Sequence, residues 1–265
     1  MAATPQIVTG PGSEHDQIVA LTLKAIQLAK SAVAHAIDGL AQKSAAPFQA
    51  VNKCEQELDR LDREVDDRVT HAVIHASAPE AGELLACMKF MIDLERIGDL
   101  ISSFGGCAQA IGARVEMEDV KDLIHMATVL EQMLVEIHEA FSTRNLDRVI
   151  GVLRADAVIY RIRNLVFIRH VENQEGTAGP EGIHVLFMAQ ALERAGDHTK
   201  NLAEEVCHLA TGQTMRHVLR SKSKSEEQMF LEWLRDRQYG EWPKSPRIFT
   251  SYSRRCNVVV TRRTY

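Results

Sequence analysis

Apolar residues recur at spacings of three and four along most of the chain, as in Leu84, Met88, Met91, Leu94 and Ile101, which is the period of a helix with one buried face. The pattern predicts six long helices, at about 14–43, 47–77, 80–111, 116–141, 145–173 and 181–211. Pro47, Pro79 and Pro180 stand at or near the starts of three of them, where a missing N–H costs nothing. Short links such as "SAP" at 77–79 and "STRN" at 142–145 force neighbouring helices to run antiparallel, so the expected architecture is a helical bundle.

A repeat organises these helices. "DLERIGD" at 93–99 returns as "ALERAGD" at 191–197, at the same place in the third and sixth helices. The chain therefore reads as an internal duplication of two three-helix units, 14–112 and 116–211, followed by a different segment at 212–265. In that segment Ser225 would cap a short helix with Glu226 and Glu227 in its first turn and Met229, Phe230, Trp233 and Leu234 on one apolar face. The remainder reads as a basic tail.

Composition agrees with an all-α fold, since aromatic residues make up only 5 % of the 265 positions. The five cysteines include no Cys-x-x-Cys and read as reduced core fillers. The sequence shows neither a long uninterrupted apolar run nor the start of a secretory signal, so a cytoplasmic location is expected. The net charge of -5 conceals a contrast: residues 1–211 hold 19 Lys/Arg against 31 Asp/Glu, and residues 212–265 hold 12 against 5. An acidic body argues against dedicated nucleic-acid binding.

The candidate chemistry lies in the repeat. Residues four apart on a helix share a face, so Glu95 pairs with Asp99 and Glu193 with Asp197. On the preceding helix of the first unit Asp62 and Asp66 have the same spacing. If the two helices are antiparallel neighbours, Asp62, Asp66, Glu95 and Asp99 converge on one patch. In the second unit the matching helix offers Asp156, but Tyr160 stands four residues on. Clustered acids ionise fully only beside cations or basic partners, and an oxygen-rich patch suits Mg²⁺, Mn²⁺ or Fe better than structural zinc. Ordinary solvated faces paired to Arg63, Arg96, Arg161 and Arg194 are the plainer alternative. Gly98 and Gly196 recur between the acids although each costs a helix roughly 1 kcal/mol relative to Ala, which points to close approach of a neighbouring helix or ligand. His198 lies 100° around from Asp197 and is expected at an interface or in solvent. A ferritin-like metal-dependent enzyme would want Glu-x-x-His pairs from two helices together with a Glu from each of two others, and Glu205 with His208 is weak support for that set.

With these motifs in place, "LERIGD" and "LERAGDHTKNLAEEV" on duplicated three-helix units resemble the PhoU family, accessory regulators of phosphate-specific transport. The resemblance covers 14–211. It implies two three-helix bundles packed side by side, often as a homodimer, with acidic motifs that bind divalent or trivalent metal ions (Fe, Mn, Mg or Zn). Carried onto this chain, the metal-binding residues are Asp62, Asp66, Glu95 and Asp99 in the first unit and Asp156, Glu193 and Asp197 in the second. Tyr160 departs from the family's acid. The implied role is a negative regulator without catalysis, linking the phosphate ABC transporter to its sensor histidine kinase, held at the membrane through these protein partners. The rivals are a ferritin-like metal-dependent bundle enzyme and a purely structural helical adaptor.

Overall fold

A computed structural model describes residues 12–172 and 179–212, and the expected helix near 225–239 and the basic tail lie outside them. The described residues form six long α-helices and no strand: α1 (Glu14–Gln42), α2 (Ala45–Ala72), α3 (Ala78–Ile111), α4 (Met117–Thr143), α5 (Leu146–Phe167) and α6 (Pro180–Thr211). The all-α expectation holds, with most ends within three residues of the pattern's.

Two ends differ for identifiable reasons. α2 stops at Ala72 rather than 77, because the chain reverses over 73–77 and Ser77 already begins the cap of α3, its N–H and hydroxyl both donating to Glu80. α5 loosens after Phe167 into a π-helical turn at Ile168–Glu172. That turn lets two adjacent residues, Arg169 and His170, both reach the buried carboxylate of Asp119 in the first turn of α4.

The duplication extends to the tight turns. Lys43 after α1 and Arg144 after α4 both adopt the left-handed region, at φ 51° and 56°, and each is followed by an extended residue that opens the next helix, Ser44 or Asn145.

Helices α1, α3, α6 and α4 form a central ring, each packed on the next; α2 covers the α1/α3 edge and α5 the α4/α6 edge. One continuous apolar core runs through both units, and the Phe90 and Phe141 rings meet 4.6 Å apart between α3 and α4. The central position of α1 explains its composition. It is the one described helix long and apolar enough to cross a membrane by length and composition, and its buried stripe from Ile18 to Leu40 packs against α2, α3 and α4.

Polar pairs tie the units along the ring. Asp93 of α3 accepts from His198 Nδ1 at 2.7 Å and from Asn201 Nδ2 at 3.0 Å, Lys89 reaches Glu205 at 2.9 Å, and Arg144 pairs with Glu83. His198 thus faces the interface between units, and Glu205, half of a Glu-x-x-His pair with His208, is engaged by a lysine of α3.

Phe48 sits in a slot between Gly39 of α1 and Gly105 of α3. A Cβ at Gly39 would fall 2.6 to 2.8 Å from the ring. Gly39→Ala is expected to destabilise the fold by about 1–3 kcal/mol through overpacking, whereas Gly106→Ala, on an open face of α3, should stabilise it by roughly 0.5–1 kcal/mol. Urea unfolding of both variants checks the sign; a stabilised Gly39→Ala protein would contradict a tight slot.

Candidate functional site

The acidic groove of the first unit is set by the crossing of α2 and α3. A Cβ at Gly98 would meet Leu58 Cδ1 at 2.8 Å and the Glu55 Cα at 3.8 Å, so a side chain there would have to displace the Leu58 tip where the helices cross. In antiparallel register this places Asp99 beside Glu55 and Asp59. Oxygens of these three side chains lie within 4.8 Å of one another, the one such group of acids among the described residues. Glu95, a turn away on α3, joins Asp59 and Asp62 along the same groove, and all three are partly exposed.

Of the four residues expected here, the structure brings Asp62, Glu95 and Asp99 to the groove. Asp66 is exposed, one turn beyond Asp62, whose carboxyl it helps to push up, and two turns beyond Asp59, a rise of roughly 10 Å. Glu55 and Asp59 complete the patch instead. Their Glu-x-x-x-Asp spacing stands in the sequence beside that of Glu95 and Asp99, but seven residues is close to two whole turns, so Asp59 and Asp66 share a helix face and the pattern does not choose between them.

Charge balance separates groove from flank. On the outer side of α2, Glu57 accepts from Arg60 and from Lys24, which hold its carboxyl down at about 2. In the groove Arg96 touches Glu95 and Asp99, both at 3.3 Å, from a side chain that is 57 % exposed. Among the described residues no ion pair reaches Glu55 or Asp59. Burial, then the neighbouring carboxylates, push Glu55, Asp62 and Glu95 above the usual range. Carboxylate oxygens converging without a basic partner at their centre fit a hard divalent or trivalent cation.

The second unit repeats the backbone but not the charges. A Cβ at Gly196 would meet Ile159 Cδ1 at 3.3 Å and Asp156 Oδ1 at 3.4 Å. Asp156 therefore occupies the place of Glu55, and Tyr160, 55 % exposed, that of Asp59, whereas motif spacing alone matches them to Asp62 and Asp66. Asp156, Glu193 and Asp197 do share the α5/α6 groove. Lys200 lies among them, 3.1 Å from Asp156 and 3.4 Å from Asp197. Glu193 accepts from Gln190 at 2.6 Å, and Gln190 accepts from Arg163. Burial and Asp197 push the Glu193 carboxyl up, against Arg163. With an ammonium already between its carboxylates, this groove does not fit a resident metal ion as the first does.

Among the described residues no cysteine joins the acidic cluster. Cys54, Cys87 and Cys207 are buried, burial pushing the last two thiols up to about 11 and about 12, so they stay protonated.

Comparison with known proteins places the chain and its fold. A family model described as the PhoU domain matches the chain twice, over residues 22–106 and 123–206. The phosphate-specific transport system accessory protein PhoU homolog of Caulobacter vibrioides is 29 % identical over 220 residues, covering 80 % of this chain and 94 % of its own. The Burkholderia homolog is 27 % identical over 213 residues, covering 77 % and 89 %. In fold, the chain is similar to PhoU from Pseudomonas aeruginosa, with a TM-score of 0.69, 22 % identity and coverage of 76 % of this chain and 99 % of that one. The phosphate transport system regulatory protein PhoU of Streptococcus pneumoniae gives 0.70 at 18 % identity, covering 76 % and 97 %.

The raised carboxyls make a signed prediction. Glu55 keeps its proton to higher pH in the folded chain than in the unfolded one, so it weakens the fold as pH climbs from about 4 through its folded value. In metal-free protein, the stability of Glu55→Gln relative to the parent should therefore grow from pH 4 to pH 7. Urea unfolding across that range would show a constant difference if Glu55 were unperturbed.

Proposed function

The chain belongs to the PhoU family, and from that premise we propose that it is an accessory regulator of phosphate-specific transport rather than an enzyme. In this reading it works as a metal-binding adaptor between a phosphate ABC transporter and a sensor histidine kinase, restraining uptake and holding the starvation response off when phosphate is ample. It acts as a homodimer in the cytoplasm and reaches the membrane through these proteins.

The observation that carries the metal-dependent part is the convergence of Glu55, Asp59 and Asp99, with Glu95 and Asp62 alongside and no basic group paired to the first two. A bound cation supplies the positive charge that lets these carboxylates ionise together. Glu55, Asp59 and Asp99 would hold it, Glu95 and Asp62 would line the adjoining groove, and Arg96 would close the rim. Filling the groove changes the charge of the α2/α3 face, which is the property a protein partner reads through electrostatic complementarity.

The test is the double variant Glu55→Gln with Asp99→Asn. Affinity for Mn²⁺ should fall at least roughly tenfold, since loss of groups merely supporting a metal site already costs that much, while helicity stays that of the parent. In cells grown with ample phosphate, a starvation-response reporter should be switched on by this variant and by deletion of the whole chain. A silent reporter after deletion would overturn the regulatory role, and full repression by a variant that has lost Mn²⁺ binding would overturn the metal's part in it.

A further inference from the structure

The two grooves share one backbone arrangement and differ in what sits at the centre. In the first unit, the position equivalent to Lys200 is Ser102, whose hydroxyl donates to Asn52 Oδ1 at 3.1 Å and brings no charge. In the second, the Lys200 side chain is 18 % exposed and Asp156 17 %, so the pair is largely withdrawn from water. Lys200 bridges helices, contacting Asp156 on α5 and Asp197 one turn back on α6.

We propose that the Lys200 ammonium is the built-in cation of the α5/α6 groove, so that the second unit takes no metal ion and metal binding is confined to the α2/α3 groove. Confinement to that groove rests on the metal-binding reading above; exclusion from the second unit does not.

Three observations converge. Lys200 and Arg163 offset much of the charge of Asp156, Glu193 and Asp197, whereas Glu55, Asp59, Asp62, Glu95 and Asp99 face Arg96 with Arg63 behind Asp62. Tyr160 removes the ligand that Asp59 supplies in the first unit and puts a neutral phenol in its place. A metal ion entering the second groove would have to expel an ammonium from between the largely buried Asp156 and the exposed Asp197, losing its charge-assisted contacts and leaving it to find other partners. The lysine is tethered, so its effective concentration at the groove exceeds that of any dilute ion.

Equilibrium dialysis of the full chain against Mn²⁺, with metal analysis, tests this. In the parent protein, Asp156→Asn with Asp197→Asn should leave Mn²⁺ binding unchanged within about twofold, because the metal is elsewhere. Lys200→Met should add about one Mn²⁺ per chain, bound by the released Asp156 and Asp197 with Glu193 beside them, and should do so equally in the Glu55→Gln, Asp99→Asn background. Lys200→Arg, which keeps the charge, should behave as the parent. Loss of Mn²⁺ from the parent on changing Asp156 and Asp197 would overturn the proposal. So would a Lys200→Met protein with parental helicity and thermal midpoint that gains no metal. If that variant does not fold, the aspartate pair and Lys200→Gln give the same decision. Mn²⁺ binding unchanged by Glu55→Gln with Asp99→Asn would defeat the first-groove reading alone, leaving the lysine arms to be read on their own.

Discussion

The seating of one helix against another over a glycine controls the chemistry of this molecule. Where α2 crosses α3, Leu58 fills the space a side chain at position 98 would need, and where α5 crosses α6, Ile159 does the same at position 196. That contact, within the wider α2/α3 and α5/α6 interfaces, marks the register in which each helix meets its neighbour. A helix advances about 6 Å in four residues, so sliding by one turn would exchange the set of acids that meet. The glycines weaken their helices locally, and the tight crossing they permit decides which carboxylates face each other.

Given a common backbone, the two grooves diverge through a few side chains. Tyr160 for Asp59, Lys200 for Ser102 and Arg163 for Asp62 convert an acid-lined trough into one whose charges are partly offset within the chain. Duplicated units are free to diverge in this way because the contacts that hold the fold, Leu58 under Gly98 and Ile159 under Gly196, lie beneath the groove and are untouched by changes at its surface.

Much of this is legible in the order of amino acids alone. Helix period, proline positions and short links mark the six helices, and the repeated motif marks the two units, because these signals are local. Register is not local, and there the sequence pattern does not decide. Asp59 and Asp66 lie on the same face of α2, and only the packing of Leu58 against Gly98, a contact forty residues apart in sequence, selects the former. The same slip pairs Asp156 with Asp62 and Tyr160 with Asp66. Lys200 escapes notice for a related reason: three residues after Asp197 it reads as an ordinary surface pair, and its second partner sits on another helix. The π-helical turn ending α5 is equally out of reach, since its cause is Asp119 on α4.

The ring of central helices carries one more implication. Contacts between the halves join α1 to α4 and α3 to α6, so each element meets its own counterpart, which is the mark of an isologous, twofold-like interface. An ancestor with a single three-helix half would have buried the same surface against a second copy of itself. With two such halves joined end to end, an association that would otherwise depend on dilution is permanent, and each half can differ from its twin.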